Sequence, residues 1–233
     1  NVDVRTSCEA LEIDRSGKEL KLKDLKTGQE YSEKYDKLVV STGSTPLIPP
    51  FSGTDLPGVH RLWTLQDMDK LEAILQQGPR KVLVVGGGFV GVELAENLLE
   101  RGCEAVLVQR ESFLLPSLDV EMSNLIVAEL RSLGIRVEMQ AEITEINQKE
   151  EKLEATLADG RKIDTDLMVL CVGVRPNSDL AKKAGLNLGP RGHIVTDEHL
   201  CTSDPDIYAV GDVIEVKDPI FEGRTAIPLA GPA

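Results

Sequence analysis

Three glycines, Gly86, Gly88 and Gly91, carry the clearest chemical signal in the chain. They stand in the order G-x-G-x-x-G directly after the apolar run Val82 to Val85. Each has a separate physical task. Gly86 permits a tight turn, Gly88 lets backbone approach a pyrophosphate, and Gly91 lets a helix pack closely on a strand. A pyrophosphate then takes the free amides at the helix N-terminus, helped by the partial positive charge there. About 20 residues further on, a dinucleotide site usually places Asp or Glu against the ribose 2′-hydroxyl. Here that position holds Gln109, followed by Arg110. Glutamine does not repel a 2′-phosphate as a carboxylate would, and arginine can pair with one. NADPH is therefore expected to be accepted, with Glu111 close enough to keep NADH in play.

These residues work only if the right elements hold them. Val82 to Val85 reads as a buried strand, and an amphipathic helical pattern begins as soon as the glycines end. Val90, Leu94 and Leu98 form one row, with Glu93, Glu96 and Glu100 at polar positions between them. Gly102 follows Arg101 where a helix C-terminus wants a residue tolerant of positive φ. Ala105 to Val108 reads as the parallel partner strand. Strand, glycines, helix and second strand thus occur in order within about thirty residues, the context that makes the glycine motif informative.

Residues 2 to 40 read as short strands, VDVRTS, EALEID, KELKLKD and DKLVV, separated by polar turns at 15–18 and 26–29. The last strand runs into a loop, Thr42-Gly43-Ser44. Residues 46 to 58, rich in proline and glycine, read as an extended connection. Thr64 with Asp67 resembles a capping box that opens a helix ended by Gly78-Pro79. Pro116 to Gly134 reads as a further helix, with Asp119 as N-cap and Gly134 just past its end. Near the C-terminus, a short strand through Tyr208 and Ala209 runs into Gly211-Asp212, where a carboxylate can accept hydrogen bonds from sugar hydroxyls.

The chain also repeats itself. Val137 to Asn147 parallels Val4 to Asp14, and Thr165 to Pro176 parallels Tyr35 to Pro46. Asp36 and Asp166, Gly43 and Gly173, and Pro46 and Pro176 share one offset of 130 residues. In the second copy the meander and its glycine loop follow a complete β-α-β unit. Applying the offset places a counterpart of Gly86 about 44 positions before Asn1. The expectation is a chain that starts inside a domain whose own β-α-β lies upstream.

Composition removes several alternatives. A net charge of −13 leaves no basic stripe to replace phosphate counterions, so neither a nucleic-acid nor an anionic-membrane partner is expected. Only 3% of residues are aromatic, which argues against a base-stacking surface. No run approaches the ~20 apolar residues that span a bilayer, and the first residues do not read as a signal peptide. Cys8, Cys103, Cys171 and Cys201 are widely spaced, with no C-x-x-C and no metal-like pattern. They read as reduced, mostly buried small hydrophobes of a cytoplasmic protein.

Five stretches in one order, LVVSTGSTP, VVGGGFVGVELAE, CVGVRPN, TSDPDIYAVGD and IPLAGPA, resemble the pyridine nucleotide–disulfide oxidoreductase superfamily. The similarity is strongest to the branch of NADH oxidases, NADH peroxidases and coenzyme A-disulfide or polysulfide reductases, and it runs nearly end to end. The resemblance implies an α/β fold: a Rossmann-like, three-layer ββα NAD(P) domain, residues 61–173, nested in a partial FAD-binding domain, residues 1–60 and 174–233. It implies that Gly86, Gly88, Phe89, Val90 and Gly91, with Val172 and Gly173, hold NAD(P)H. Thr42, Gly43, Ser44, Gly211, Asp212, Leu229 and Ala230 would line FAD. In such enzymes the aromatic at Phe89 shields the flavin until nicotinamide displaces it, and the acid at Glu93 contacts the nicotinamide. The protein mainly positions such cofactors, so Glu93 is not expected to be a general base.

The implied reaction passes hydride from NAD(P)H to FAD and on to a cysteine or disulfide, polysulfide, peroxide or oxygen, in a homodimer. Two departures qualify it. None of the four cysteines stands where the family keeps its redox thiol, so no catalytic residue is expected in this chain. The family's N-terminal FAD loop and its C-terminal dimerisation domain are likewise not among these residues. A catalytically inactive NAD(P)H-binding module is the alternative expectation for the chain on its own.

Overall fold

The alternating faces of a few apolar strands decide the architecture. The computed structural model describes residues 2–78, 80–218 and 223–226. In chain order come β1 (Cys8–Asp14), β2 (Glu19–Asp24), β3 (Glu30–Lys34), β4 (Leu38–Val40), β5 (Ser44–Pro46) and β6 (Val59–Arg61). Next are α1 (Leu65–Leu75), β7 (Lys81–Val85), α2 (Phe89–Glu100), β8 (Glu104–Val108), α3 (Val120–Ser132) and β9 (Arg136–Glu138). Then follow β10 (Ile143–Lys149), β11 (Lys152–Leu157), β12 (Lys162–Thr165), β13 (Leu167–Leu170) and β14 (Val174–Pro176). The chain continues through α4 (Asp179–Lys183), β15 (Ile194–Val195), β16 (Ile207–Ala209), β17 (Ile214–Lys217) and β18 (Arg224–Thr225). It divides into two units: residues 46–174, and residues 1–45 together with 175–233.

In the unit of residues 46–174, five strands form a parallel sheet in the order β6-β13-β7-β8-β9. Because successive side chains point to opposite faces, β7 splits its run in two. Val82 and Val84 pack with Leu71 of α1, Val92, Leu94 and Leu98 of α2, and Val127 and Leu130 of α3. Leu83 and Val85 pack instead with Ile143, Ile146, Leu153, Ala155 and Ile163 of the antiparallel meander β10-β11-β12. Both faces are covered, which is why β7, β8 and β13 read as continuous apolar runs rather than alternating ones. Each fully buried Val or Leu contributes about 1.5–3 kcal/mol. The result is the three-layer, Rossmann-like α/β arrangement.

Local signals set the helix ends. Thr64 Oγ1 accepts from the Asp67 amide at 3.2 Å, and Asp67 Oδ2 accepts from the Thr64 amide at 2.9 Å, so the capping box at α1 is formed. At the end of α2, Gly102 sits at φ +79, its amide donating to Leu99 C=O, while the Cys103 amide donates to Leu98 C=O. That pair of bonds is the Schellman arrangement glycine makes possible. Helix α3 starts at Val120 rather than at Pro116; Asp119 is its N-cap by backbone, without a side-chain bond.

The other unit centres on Ile13, Val40, Ala181, Leu186, Ile194, Ile207, Ala209 and Val213. Strand β4 pairs in parallel with β16, and β1-β2-β3 form an antiparallel meander. The repeat is visible in detail. Both meanders shift register near their start, between Ala10 and Glu12 in one and between Ile143 and Glu145 in the other.

Several expectations need correction. Residues 2 to 6 form no strand: Val2 and Val4 are exposed, and Ser7 at φ 56 breaks the extension ahead of β1. The strand β3 was not legible because EYSEK is polar on both faces; pairing to β2, with Tyr31 opposite Leu22, holds it. Residues 46–60 belong with the unit of residues 46–174, not with the first stretch, because Phe51, Leu56 and Val59 pack on the meander core of that unit. Of the four cysteines, none of them in a disulfide, only Cys103 is buried; the others are half-buried. Pro79 lies outside the described residues.

Candidate functional site

The strand order places β7 and β13 side by side, while the chain leaves β7 through α2 toward β8 on the other side. The carboxyl ends of β7 and β13 therefore flank a switch point, where open α/β sheets bind ligands. Gly86 to Gly91 leaves the first and Val172-Gly173 the second. Steric detail explains each glycine. Gly86 is at φ +108, and a Cβ there would stand 2.4 Å from the Cys171 carbonyl oxygen. At Gly91 a Cβ would stand 1.9 Å from the Gly86 carbonyl oxygen, so α2 can approach β7 only without one. At Gly88, by contrast, a Cβ would meet nothing within 4 Å. Gly88 is the N-cap of α2 and no side chain caps the helix, so the open side of this turn is free to take a phosphate.

The loop is braced from behind. Gln109, 8% exposed, accepts the Gly87 amide on Oε1 at 3.0 Å and donates from Nε2 to Phe113 C=O at 3.2 Å. The Leu115 amide donates to Gly87 C=O at 2.8 Å, and the Leu114 amide to Ser123 Oγ at 2.8 Å. A Cβ on Gly87 would strike Leu114 at 2.3 Å. Phe113, Leu114, Leu115 and Ser123 were not singled out from sequence. The signal was the apolar pair Leu114-Leu115 within a polar ESFLLPS stretch.

Other expected residues fall as follows. Phe89 is 57% exposed at the start of α2, with Val90 and Glu93 also exposed on that helix. Gly173 is at φ +96, and its carbonyl accepts the Leu47 amide at 2.9 Å. Gln109 turns both ends of its amide inward, whereas Arg110 is 70% exposed and pairs with Glu111 at 3.0 Å. Burial pushes the Cys171 thiol up to about 12, so it stands beside the glycine loop as a neutral group, not a nucleophile.

In the other unit a second glycine loop is built. Gly43 is at φ +65 and its carbonyl accepts the Asn177 amide at 2.9 Å. Asn177 Nδ2 donates to Thr42 C=O at 2.9 Å, and Thr42 Oγ1 donates back to Asn177 C=O at 2.6 Å. Buried Ser44 donates to Asp212 Oδ2 at 2.7 Å, and Asp212 lies in the 3₁₀ turn that Gly211, at φ +80, opens after β16. Thr42, Gly43, Ser44, Gly211 and Asp212 are thus gathered together, and among the described residues Asp212 Oδ1 has no hydrogen-bond partner and can accept from a ligand hydroxyl. Asn177 was missed; its one offset of 130 from Leu47, whose amide serves Gly173 in the same way, could have found it. Leu229 and Ala230 lie outside the described residues. Among the described residues no group of three His, Cys, Asp or Glu could hold a metal ion, and no helix is long and apolar enough to cross a membrane.

Comparison with known proteins follows the same lines. The NADH oxidase of Methanocaldococcus jannaschii is 39% identical over 98% of this chain and 51% of its own length. A persulfide reductase from A. fulgidus described as NAD-dependent superposes with a TM-score of 0.93 at 34% identity, covering 99% of this chain and 43% of that one. An engineered water-forming NADPH oxidase, made from the NADH oxidase of Lactobacillus brevis and bound to NADPH, superposes with a TM-score of 0.90 at 28% identity. It covers 97% of this chain and 50% of that one. The chain spans about half the length of the curated relatives it matches. The family model for pyridine nucleotide-disulphide oxidoreductases matches residues 1–230, and this chain belongs to that family.

Proposed function

We propose that this chain provides the NAD(P)H site and part of the flavin site of an FAD-dependent oxidoreductase. That enzyme takes hydride from NAD(P)H through FAD to a disulfide, polysulfide, peroxide or oxygen acceptor. The observation that carries the reading is the braced glycine turn at the carboxyl end of β7, beside Val172-Gly173 at the switch point. Gly86 and Gly91 are sterically required, while the face at Gly88 is open. FAD would supply the electron relay when bound. The residues present fit it, since Ser44 fixes Asp212 through Oδ2 and, among the described residues, Oδ1 is left to accept a ribityl hydroxyl. Phe89, exposed at the start of α2, is the candidate to cover the flavin, and Glu93, one turn on, to orient the nicotinamide.

The engineered NADPH oxidase informs the choice of nucleotide. Among its changes, an aspartate becomes alanine and the next residue arginine, between a glycine and a proline spaced as Gly91 and Pro116 are. Gln109 and Arg110 stand at the corresponding spacing, which supports a site that admits a 2′-phosphate. None of the four cysteines is in a disulfide, which suits a reducing compartment, and we place the protein in the cytoplasm.

The test is anaerobic mixing of NADPH or NADH with FAD-reconstituted protein while the visible flavin absorbance is followed. Bleaching of the flavin bands at a rate that saturates with nucleotide is expected. Flavin that binds but is not reduced by either nucleotide would contradict the reading.

A further inference from the structure

We propose that the nucleotide site selects NADPH through Arg110, with Gln109 as a positioning residue and Glu111 as an internal competitor. This deepens the nucleotide-site reading above and rests on it.

The end of β8 decides the matter. An ionised carboxylate at position 109 could face the ribose, accept its hydroxyls and repel a 2′-phosphate. Gln109 does neither, because both ends of its amide are used inside the unit, on Gly87 N–H and Phe113 C=O. An ionised glutamate could not reproduce this arrangement. It has no hydrogen to give Phe113 C=O, so its second oxygen would face a carbonyl and the side chain would be driven outward. The neutral amide is therefore what keeps residue 109 folded in, and folded in it leaves no anion beside the ribose.

Arg110, next along the chain, is directed the other way and is 70% exposed. Its Nε and Nη2 both reach a single oxygen of Glu111, at 3.2 and 3.0 Å. An ion pair this exposed holds weakly. The same two donors form the fork that a phosphate accepts two-pronged, and a phosphate brings more charge than one carboxylate. Glu111 thus occupies the fork while no nucleotide is bound and gives way to the 2′-phosphate. It lowers the affinity for NADPH.

Titration of the 233-residue chain with NADPH and with NADH, followed by nucleotide fluorescence, tests this. NADPH is expected to bind about tenfold more tightly than NADH, with the margin shrinking as salt rises. Arg110→Ala should weaken NADPH about 10- to 100-fold while leaving NADH within about twofold, the scale of hydrogen bonds to a charged group. Glu111→Gln should tighten NADPH a few-fold, and Gln109→Glu should reverse the preference. Arg110→Ala is a surface change, so it remains informative if Gln109→Glu does not fold. NADH binding as tightly as NADPH, or Arg110→Ala weakening both equally, overturns the inference and leaves the nucleotide site standing. Binding of neither nucleotide overturns the site reading and this inference with it.

Discussion

The two copies of the internal repeat share a backbone and differ in the loops that end their last strands, β4 in the first copy and β13 in the second. Beyond β4 come Thr42 and Ser44, tied to Asn177 and Asp212. Beyond β13 come Val172 and Gly173, beside a glycine turn that carries its own helix. One framework thus occurs twice, and the side chains give each loop a different surface. The first offers hydroxyls and a carboxylate, and the second offers bare backbone and an uncapped helix end.

That contrast can be broken by substitution. The largest effect is expected at Gly86→Ala, where a Cβ must push aside backbone 2.4 Å away and the φ of +108 is unfavourable for alanine. A loss of about 3 kcal/mol or more in unfolding free energy is expected, together with loss of NADPH binding. Gly43→Ala meets nothing within 4 Å and should cost only the left-handed backbone term, about 1 kcal/mol. Equal losses in urea unfolding would show that the two loops are not held differently.

Val169→Ala should cost about 2 kcal/mol, because it truncates a fully buried side chain in the strand ahead of the second loop. Smaller is Ser44→Ala, expected to cost about 1 kcal/mol for the lost bond to Asp212, read in the same unfolding assay.

How much was legible in the sequence follows from the same physics. The β-α-β unit could be read because Val82 to Val85 is apolar on both faces and its glycines are required by hard contacts. The brace behind the loop could not, because a buried Gln109 looks like any polar residue until its partners, Gly87 and Phe113, are brought together by folding. Strand β3 was hidden by its polar faces, since pairing rather than burial makes it. The placement of residues 46–60 was hidden as well, because a proline-rich connection does not announce which core its Phe51 and Leu56 will reach.

The smallest effect concerns acid. Asp206, held by Lys18 and Lys37, is lowered from 3.8 to about 2, while Asp166 is held low against burial by the amides of Lys81 and Arg80. A folded value below the unfolded one means that the Asp206 contribution is complete above about pH 4 and fades as pH falls toward about 2. Asp206→Asn should flatten the acid limb of an unfolding-midpoint profile between those values. Salt should weaken the Asp206 effect more than that of Asp166, because the first rests on exposed lysines and the second chiefly on backbone amides, with exposed Lys152 adding less.

The central claim is that the turn at Gly86 to Gly91, with Val172-Gly173, is where the nicotinamide dinucleotide sits. Hydrogen–deuterium exchange of the chain with and without saturating NADPH tests it most directly. Protection confined to residues 85–94, 109–115 and 171–174 is predicted. Protection at Thr42 to Ser44 and Gly211-Asp212, with the glycine turn of β7 unchanged, would contradict it.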